Sequence, residues 1–306
     1  MSNLKLLYPV YTLDNKLLLP AGSVLSEETL NILASSNRDP DYQEYSLLQY
    51  GSIKKDMLHF LIEPPYNVIF ADEKEISDLL RLMENIRFIS PLLRSLDYFK
   101  QHDFYTYRHL LMVFALSTLL SIDLISDYRE RLREIAAGPT HDIGKICVPR
   151  NILKKAMPVT QTELNKLKHH AVASYVLLSY YLRDAGHFSA RTARDHHEKK
   201  DGSGYPRGIR LEDLMVEIVA VSDVYDALIS FRPYRPVSYD NRAACEEITE
   251  MAERGEINWE VVKVLIAHIR RSRPQYNKCI VSKEKRGIPP SINFHGVIAE
   301  EGNPSE

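Results

Sequence analysis

His141-Asp142-Ile143-Gly144-Lys145 sets an imidazole beside a carboxylate, a pair that can ligate one cation while the second carboxylate oxygen reaches another. Read as helix, the spacing of four puts the Lys145 ammonium on the His141 face, where a phosphate would bind. Taken alone, the stretch is more often a buried His, a capping Asp and a solvated Lys, since the dipeptide is common by chance. Further ligands decide between the two. His109 stands upstream in an apolar helical pattern, and His169-His170, His196-His197-Glu198 and Asp223 follow downstream. Most of the eleven histidines fall between positions 109 and 197, which is no solvated face. Imidazoles and carboxylates without thiolates suit iron, manganese or zinc.

Motif order and spacing from about Arg108 to Val264 resemble the HD-GYP family, bacterial phosphodiesterases of the HD superfamily that hydrolyse cyclic di-GMP. The residues that carry the resemblance are His109, His141-Asp142-Ile-Gly-Lys145, His170, His196-His197-Glu198, Asp201-Gly-Ser-Gly-Tyr205-Pro206, Asp223-Val-Tyr-Asp226 and Arg232-Pro-Tyr-Arg235. The resemblance implies a mainly α fold, an HD-type helical bundle with a small N-terminal α/β domain. It implies His109, His141, Asp142, His170, His196, His197 and Asp223 as metal ligands, with Asp142 shared by two divalent ions, iron first and manganese second. Glu198 is expected to orient a ligand N–H and Asp226 to accept a supporting hydrogen bond. Lys145, Tyr205, Arg232 and Arg235 are expected to hold substrate, Lys145 and Asp142 serving catalysis, and Tyr205 either donating to phosphate or stacking on a base.

Departures from the family pattern are informative. Tyr105 stands where some members carry a Glu for a third metal, and a phenol is a poor substitute for a carboxylate, so two metals are expected. Ala171 and Ser174 replace the usual Pro and Gly, and Arg235 replaces a frequent Lys. The chemistry implied is two-metal activation of water, with ions about 3.5 to 4 Å apart acidifying it and neutralising the phosphoryl oxygens. Cyclic di-GMP would be opened to pGpG and possibly on to GMP. The competing reading is a cyclic-dinucleotide sensor that keeps the metal site and turns over poorly.

Composition narrows the remainder. With 39 basic and 41 acidic residues the chain is near neutral, against a dedicated nucleic-acid polymer binder. Cys147, Cys245 and Cys279 form neither a zinc pair nor a disulfide framework, which fits a reducing cytoplasm. The first residues lack a secretory core, and the apolar run Leu110–Ile122 is too short to span a bilayer, so a membrane is not expected.

Three regions are expected. Residues 1–70 read as an α/β module for regulation or a protein partner, or equally as a packing cap for the helical domain, with a hairpin turning at Asp14-Asn15 and a helix capped by Ser26 running to about Ser35. Residues 71–270 read as the helical HD-GYP domain, with apolar periodicity over Glu73–Ile89, Thr106–Leu124 and Tyr128–Ala137. Residues 271–306, basic through Arg286, read as a solvated and partly disordered extension.

Overall fold

The computed structural model describes residues 4–38, 42–282 and 284–301. Part of the loop expected from Asn37 to Asp41 lies outside them, as do Lys283 of the basic run and the closing residues 302–306. The chain opens on the expected hairpin: β1 (Val10–Tyr11) and β2 (Leu17–Leu19) pair antiparallel, and Asn15 takes the left-handed conformation at φ 61°. Asn adopts that region more readily than most residues because its short side chain bonds locally. α1 (Glu27–Ser36) starts where Ser26 accepts from the Thr29 amide at 3.1 Å.

β3 (Glu44–Ser46), α2 (Ile53–Ile62), α3 (Glu73–Met83), β4 (Arg87–Ile89) and α4 (Ser90–His102) follow. The helix expected to run to Ile89 thus stops at Met83. Asn85 ends it by donating its side-chain amide to the Arg81 carbonyl at 2.8 Å, and residues 87–89 then pair antiparallel with β3. This pairing crosses the boundary expected at residue 70. Buried residues from Leu6 to Cys279 form one continuous apolar cluster, so the first seventy residues share their core with the helices.

α5 (Phe104–Leu124) begins two residues before the expected Thr106, because the Asp103 carboxylate accepts from the Thr106 hydroxyl at 2.6 Å. This helix is long and apolar enough to cross a membrane, contrary to the reading of its apolar run, yet 78% of its apolar window is buried inside the protein. It is apolar all round because α4 and two later helices, Leu214–Ile229 and Trp259–Ile269, pack around it. After α6 (Tyr128–Ile135), two 3₁₀ turns at Gly138–Thr140 and Ile143–Cys147 carry the His141-Asp142 pair between them. α7 (Arg150–Leu153), β5 (Val159–Thr160), α8 (Gln161–Leu182), α9 (Phe188–Asp195), α10 (Leu214–Ile229), α11 (Asn241–Glu253) and α12 (Trp259–Ile269) complete the helical body.

The C-terminal stretch corrects the expectation of a loose tail. The Gly287 amide donates to Glu246 at 2.8 Å, the Phe294 amide to the Tyr234 carbonyl at 3.1 Å, and β6 (Ile298–Ala299) pairs parallel with β5. Chain with little regular structure is held here because some of its amides find acceptors on α11, on the loop after α10 and on β5. Members of the basic run are paired as well, Arg273 with Glu75 at 3.2 Å and Lys285 with Glu250 at 2.5 Å.

A capping box opens α8: the Thr160 hydroxyl accepts from the Glu163 amide at 3.3 Å, and the Glu163 carboxylate accepts from the Thr160 amide at 2.9 Å. Thr160→Ala is expected to lower unfolding free energy by about 1 kcal/mol. Urea denaturation followed by circular dichroism measures it, and an unchanged midpoint would count against the cap.

Candidate metal centre

Five elements bring the expected ligands to one place. His109 comes from α5, His141 and Asp142 from the link between the 3₁₀ turns, and His170 from α8. His196 and His197 stand at the C-terminal end of α9, and Asp223 on α10. Four of the rings are oriented by a hydrogen bond at Nδ1. His141 donates to the Gly138 carbonyl at 2.6 Å, His170 to Leu167 at 2.5 Å, His196 to Ala193 at 2.9 Å, and His109 to the Asp226 carboxylate at 2.6 Å. An acceptor at Nδ1 fixes the tautomer and turns Nε2 inward as a lone-pair donor.

The inward nitrogens form two groups around Asp142. Oδ1 lies 3.0 Å from His170 Nε2 and 3.8 Å from His196 Nε2. Oδ2 lies 3.3 Å from His109 Nε2 and 3.5 Å from His141 Nε2, while Asp223 Oδ1 is 3.1 Å from the same His109 nitrogen. Ligand atoms of His170, His196 and His197 all lie within 4.8 Å of one another, and so do those of His109, His141 and Asp223. His141, Asp142 and His196 satisfy the same test and join the two groups.

Divalent cations fit this arrangement. His141 and His109 face each other Nε2 to Nε2 at 3.3 Å, His170 and His196 at 3.5 Å, and His197 and His170 at 3.0 Å. Opposed lone pairs at such distances repel unless a cation or a proton lies near them. Asp142 Oδ1 is buried and has no hydrogen-bond partner, an expensive condition that a cation removes.

Charge favours ligation at Asp142, Asp223, His141, His196 and His197. Burial alone would raise the Asp142 carboxyl, but Lys145, His170 and His141 hold it well below the usual carboxylate range, and His109 does the same for Asp223. Burial pushes His141 and His196 down and His197 to about 3, so these rings stay neutral. His109 goes the other way. Burial opposes its charge, yet hydrogen bonds to Asp142, Asp223 and Asp226 raise it to about 10. His169 points out of the cluster, edge-on to Tyr8, and burial lowers it to about 4. Of the adjacent pair, only His170 faces the ligands.

Residues expected to hold substrate are placed unevenly. The Lys145 ammonium is paired with Asp142 from the 3₁₀ turn, three residues on, rather than from an α-helical spacing of four. Tyr205 stacks on the His197 ring at 4.6 Å, with the Lys168 ammonium 5.0 Å from its centroid, so one face is already used. Arg232 is largely buried beside the ligands, 3.4 Å from Asp226 Oδ2 and 3.3 Å from His109 Nδ1. Arg235 does not face the site. The residue is 2% exposed, and its guanidinium donates to the carbonyls of Ala227, Leu228 and Ser230 at the C-terminal end of α10. Glu198 corrects a further expectation: its carboxylate accepts from the Arg207 amide at 2.6 Å and the Ile209 amide at 3.0 Å, closing the Gly-Tyr-Pro loop instead of orienting a ligand. Tyr105 is half-exposed and packs against Phe231.

Two close approaches tie the loops to the ligands. A Cβ on Gly204 would lie 2.4 Å from the His197 carbonyl oxygen, so only glycine lets the loop lie on the His196-His197 backbone. A Cβ on Gly144 would lie 2.1 Å from the His170 carbonyl oxygen, and the Gly144 amide donates to the Ser174 hydroxyl at 2.7 Å. Ser174, a departure at the level of sequence, has that use. Tyr66 was missed altogether: its hydroxyl bonds Asp226, a partner 160 residues away with no local sign in the sequence.

A family profile described as an HD domain matches residues 101–261. Over 113 residues, 36% of the chain, it is 44% identical to 30% of the cyclic di-GMP phosphodiesterase response regulator RpfG of Xanthomonas campestris pv. campestris. Over 187 residues, 60% of the chain, it is 33% identical to 47% of a cyclic di-GMP phosphodiesterase of Thermotoga maritima. It is also 35% identical over 133 residues, 43% of the chain, to 28% of 3'3'-cGAMP-specific phosphodiesterase 3 of Vibrio cholerae. The chain thus spans less than half the length of each of these relatives.

A divalent ion held by His109 and Asp223 would have to displace the proton that His109 carries. Its apparent affinity should therefore rise with pH toward about 10. Manganese titrations at several pH values between 6 and 9 check this, and a pH-independent affinity would contradict it. Gly144→Ala should cost about 3 kcal/mol or more, since the obstacle is backbone that cannot yield. Denaturation of the chelator-treated variant measures that loss.

Proposed function

Because this chain belongs to the HD domain family, in its HD-GYP branch, we propose that it is a metal-dependent phosphodiesterase that opens cyclic di-GMP to linear pGpG, with slower cleavage on to GMP. What carries the reading is Asp142, whose two oxygens each face a different group of imidazoles. The ions are two in this reading, iron first and manganese second, because neutral imidazoles with carboxylates and no thiolate suit both. His109, His141 and Asp223 would hold one, His170, His196 and His197 the other, and Asp142 both. Bound divalent ions supply Lewis acidity that acidifies water and offsets charge on phosphoryl oxygens.

The chain's own residues do the rest of the work on substrate. Lys145, released from its pairing as Asp142 turns to ligation, offers an ammonium to the phosphoryl anion. The value of that charge grows as negative charge develops in the transition state. Tyr205 walls the site over His197 and offers a hydroxyl toward a phosphate oxygen. Arg232, paired with Asp226 beside His109, is the remaining guanidinium for a second phosphate. Residues 1–70 serve as the regulatory or partner-binding module, 71–270 as the HD-GYP unit and 271–306 as an extension along it.

One observation favours a second reading, a sensor of low turnover: Arg235, expected to clamp phosphate, is spent on the end of α10. Relatives specific for 3'3'-cGAMP also make that molecule a candidate substrate. Chromatography of cyclic di-GMP, 3'3'-cGAMP and pGpG incubated with anaerobically iron- or manganese-loaded protein separates these possibilities. Conversion of cyclic di-GMP to pGpG is expected; tight binding without conversion would establish the sensor. Asp142→Ala should lose turnover and bound metal together, by product assay and elemental analysis, and full turnover in that variant would refute the shared-ligand role.

A further inference from the structure

Asp226 carries four hydrogen-bond contacts, and one comes from far outside the matched domain. Oδ2 accepts from His109 Nδ1 at 2.6 Å and lies 3.4 Å from the Arg232 guanidinium. Oδ1 accepts from the Ser230 hydroxyl at 3.2 Å and from the Tyr66 hydroxyl. Tyr66 is fully buried in the turn Tyr66–Val68 between α2 and α3, with the Arg108 guanidinium 5.1 Å from its ring centroid. The turn is held from the helical side too, since Asn241 donates to the Pro65 carbonyl at 3.0 Å.

A carboxylate orients an imidazole only as well as it is itself fixed. With Oδ1 bonded to Tyr66 and Ser230, the carboxylate plane cannot rotate, and Oδ2 stays aimed at His109 Nδ1. Freed of the Tyr66 hydroxyl, the carboxylate can turn toward Arg232, and the His109 ring loses its stop.

We propose that Tyr66 is a positioning residue of the metal centre: acting through Asp226, it sets the His109 ring, so the N-terminal module controls metal affinity on the His109 side alone. The proposal rests on the two-ion reading above. A partner or ligand that shifts the 63–70 segment would then loosen one ion and leave the other in place.

Manganese titration into the chelator-stripped full chain, with free ion followed by electron paramagnetic resonance, tests this. Wild-type protein should show two binding events. Tyr66→Phe keeps the ring and should weaken one event about tenfold, leaving the other unchanged. Tyr50→Phe removes a hydroxyl from the same module, one that donates to Asp97 at 2.7 Å, and should alter neither event. In an Asp226→Asn background Tyr66→Phe should cause no further loss. Ser230→Ala, which removes the other donor to Oδ1, should weaken the same event and serves should Tyr66→Phe fail to fold in chelator. A Tyr66→Phe titration that superposes on wild type, equal weakening of both events, or an unchanged Ser230→Ala would overturn the proposal. Absence of manganese binding by the wild-type chain would instead sink the two-ion reading itself.

Discussion

A carboxylate buried among imidazoles is the constraint on which this molecule is organised. Asp142 is 2% exposed, and an ionised group at that depth costs several kcal/mol unless opposite charge or hydrogen bonds surround it. In the protein alone Lys145 and the nearby histidines meet that cost in part, leaving one oxygen without a partner. A bound cation would complete it. The stability of the core and the affinity for metal are therefore two aspects of one electrostatic balance.

Around that centre the fold's task is to hold five separate chain segments at fixed mutual distances. Backbone carbonyls at the ends of turns and helices take the outward nitrogen of three rings, and Asp226 takes the fourth. Rings tethered in this way have little rotational freedom left to lose on ligation, which is a saving in entropy. The apolar helix α5 provides the rigid backing, and its burial on all sides explains why a lone His on it can be held so firmly.

Much of the centre was legible because its residue types are unusual for their surroundings. A His in an apolar helix, and His-Asp and His-His pairs at intervals, have few purposes in a neutral chain. Less legible was anything that depends on which way a side chain turns after a bend. Arg235 follows Pro233-Tyr234, and nothing local indicates that its guanidinium folds back on carbonyls of α10. Tyr66 was silent for a related reason, since its partner is distant in the chain. The periodicity from Glu73 to Ile89 overran because Phe88 fits both a helical stripe and the inward face of a short strand. The stretch from Gly287 reads as tail by composition, yet bonds to Glu246, Tyr234 and β5 hold it to the body.

Gly144 carries a wider implication. At this point the Gly144 main chain lies directly on the backbone of His170 and Ser174, so the separation of the His141-Asp142 turn from α8 is set mainly by the polypeptide itself. Core residues elsewhere can drift in size over evolutionary time, and the molecule will register the change as altered stability. The spacing between its ligands will be the last thing to move.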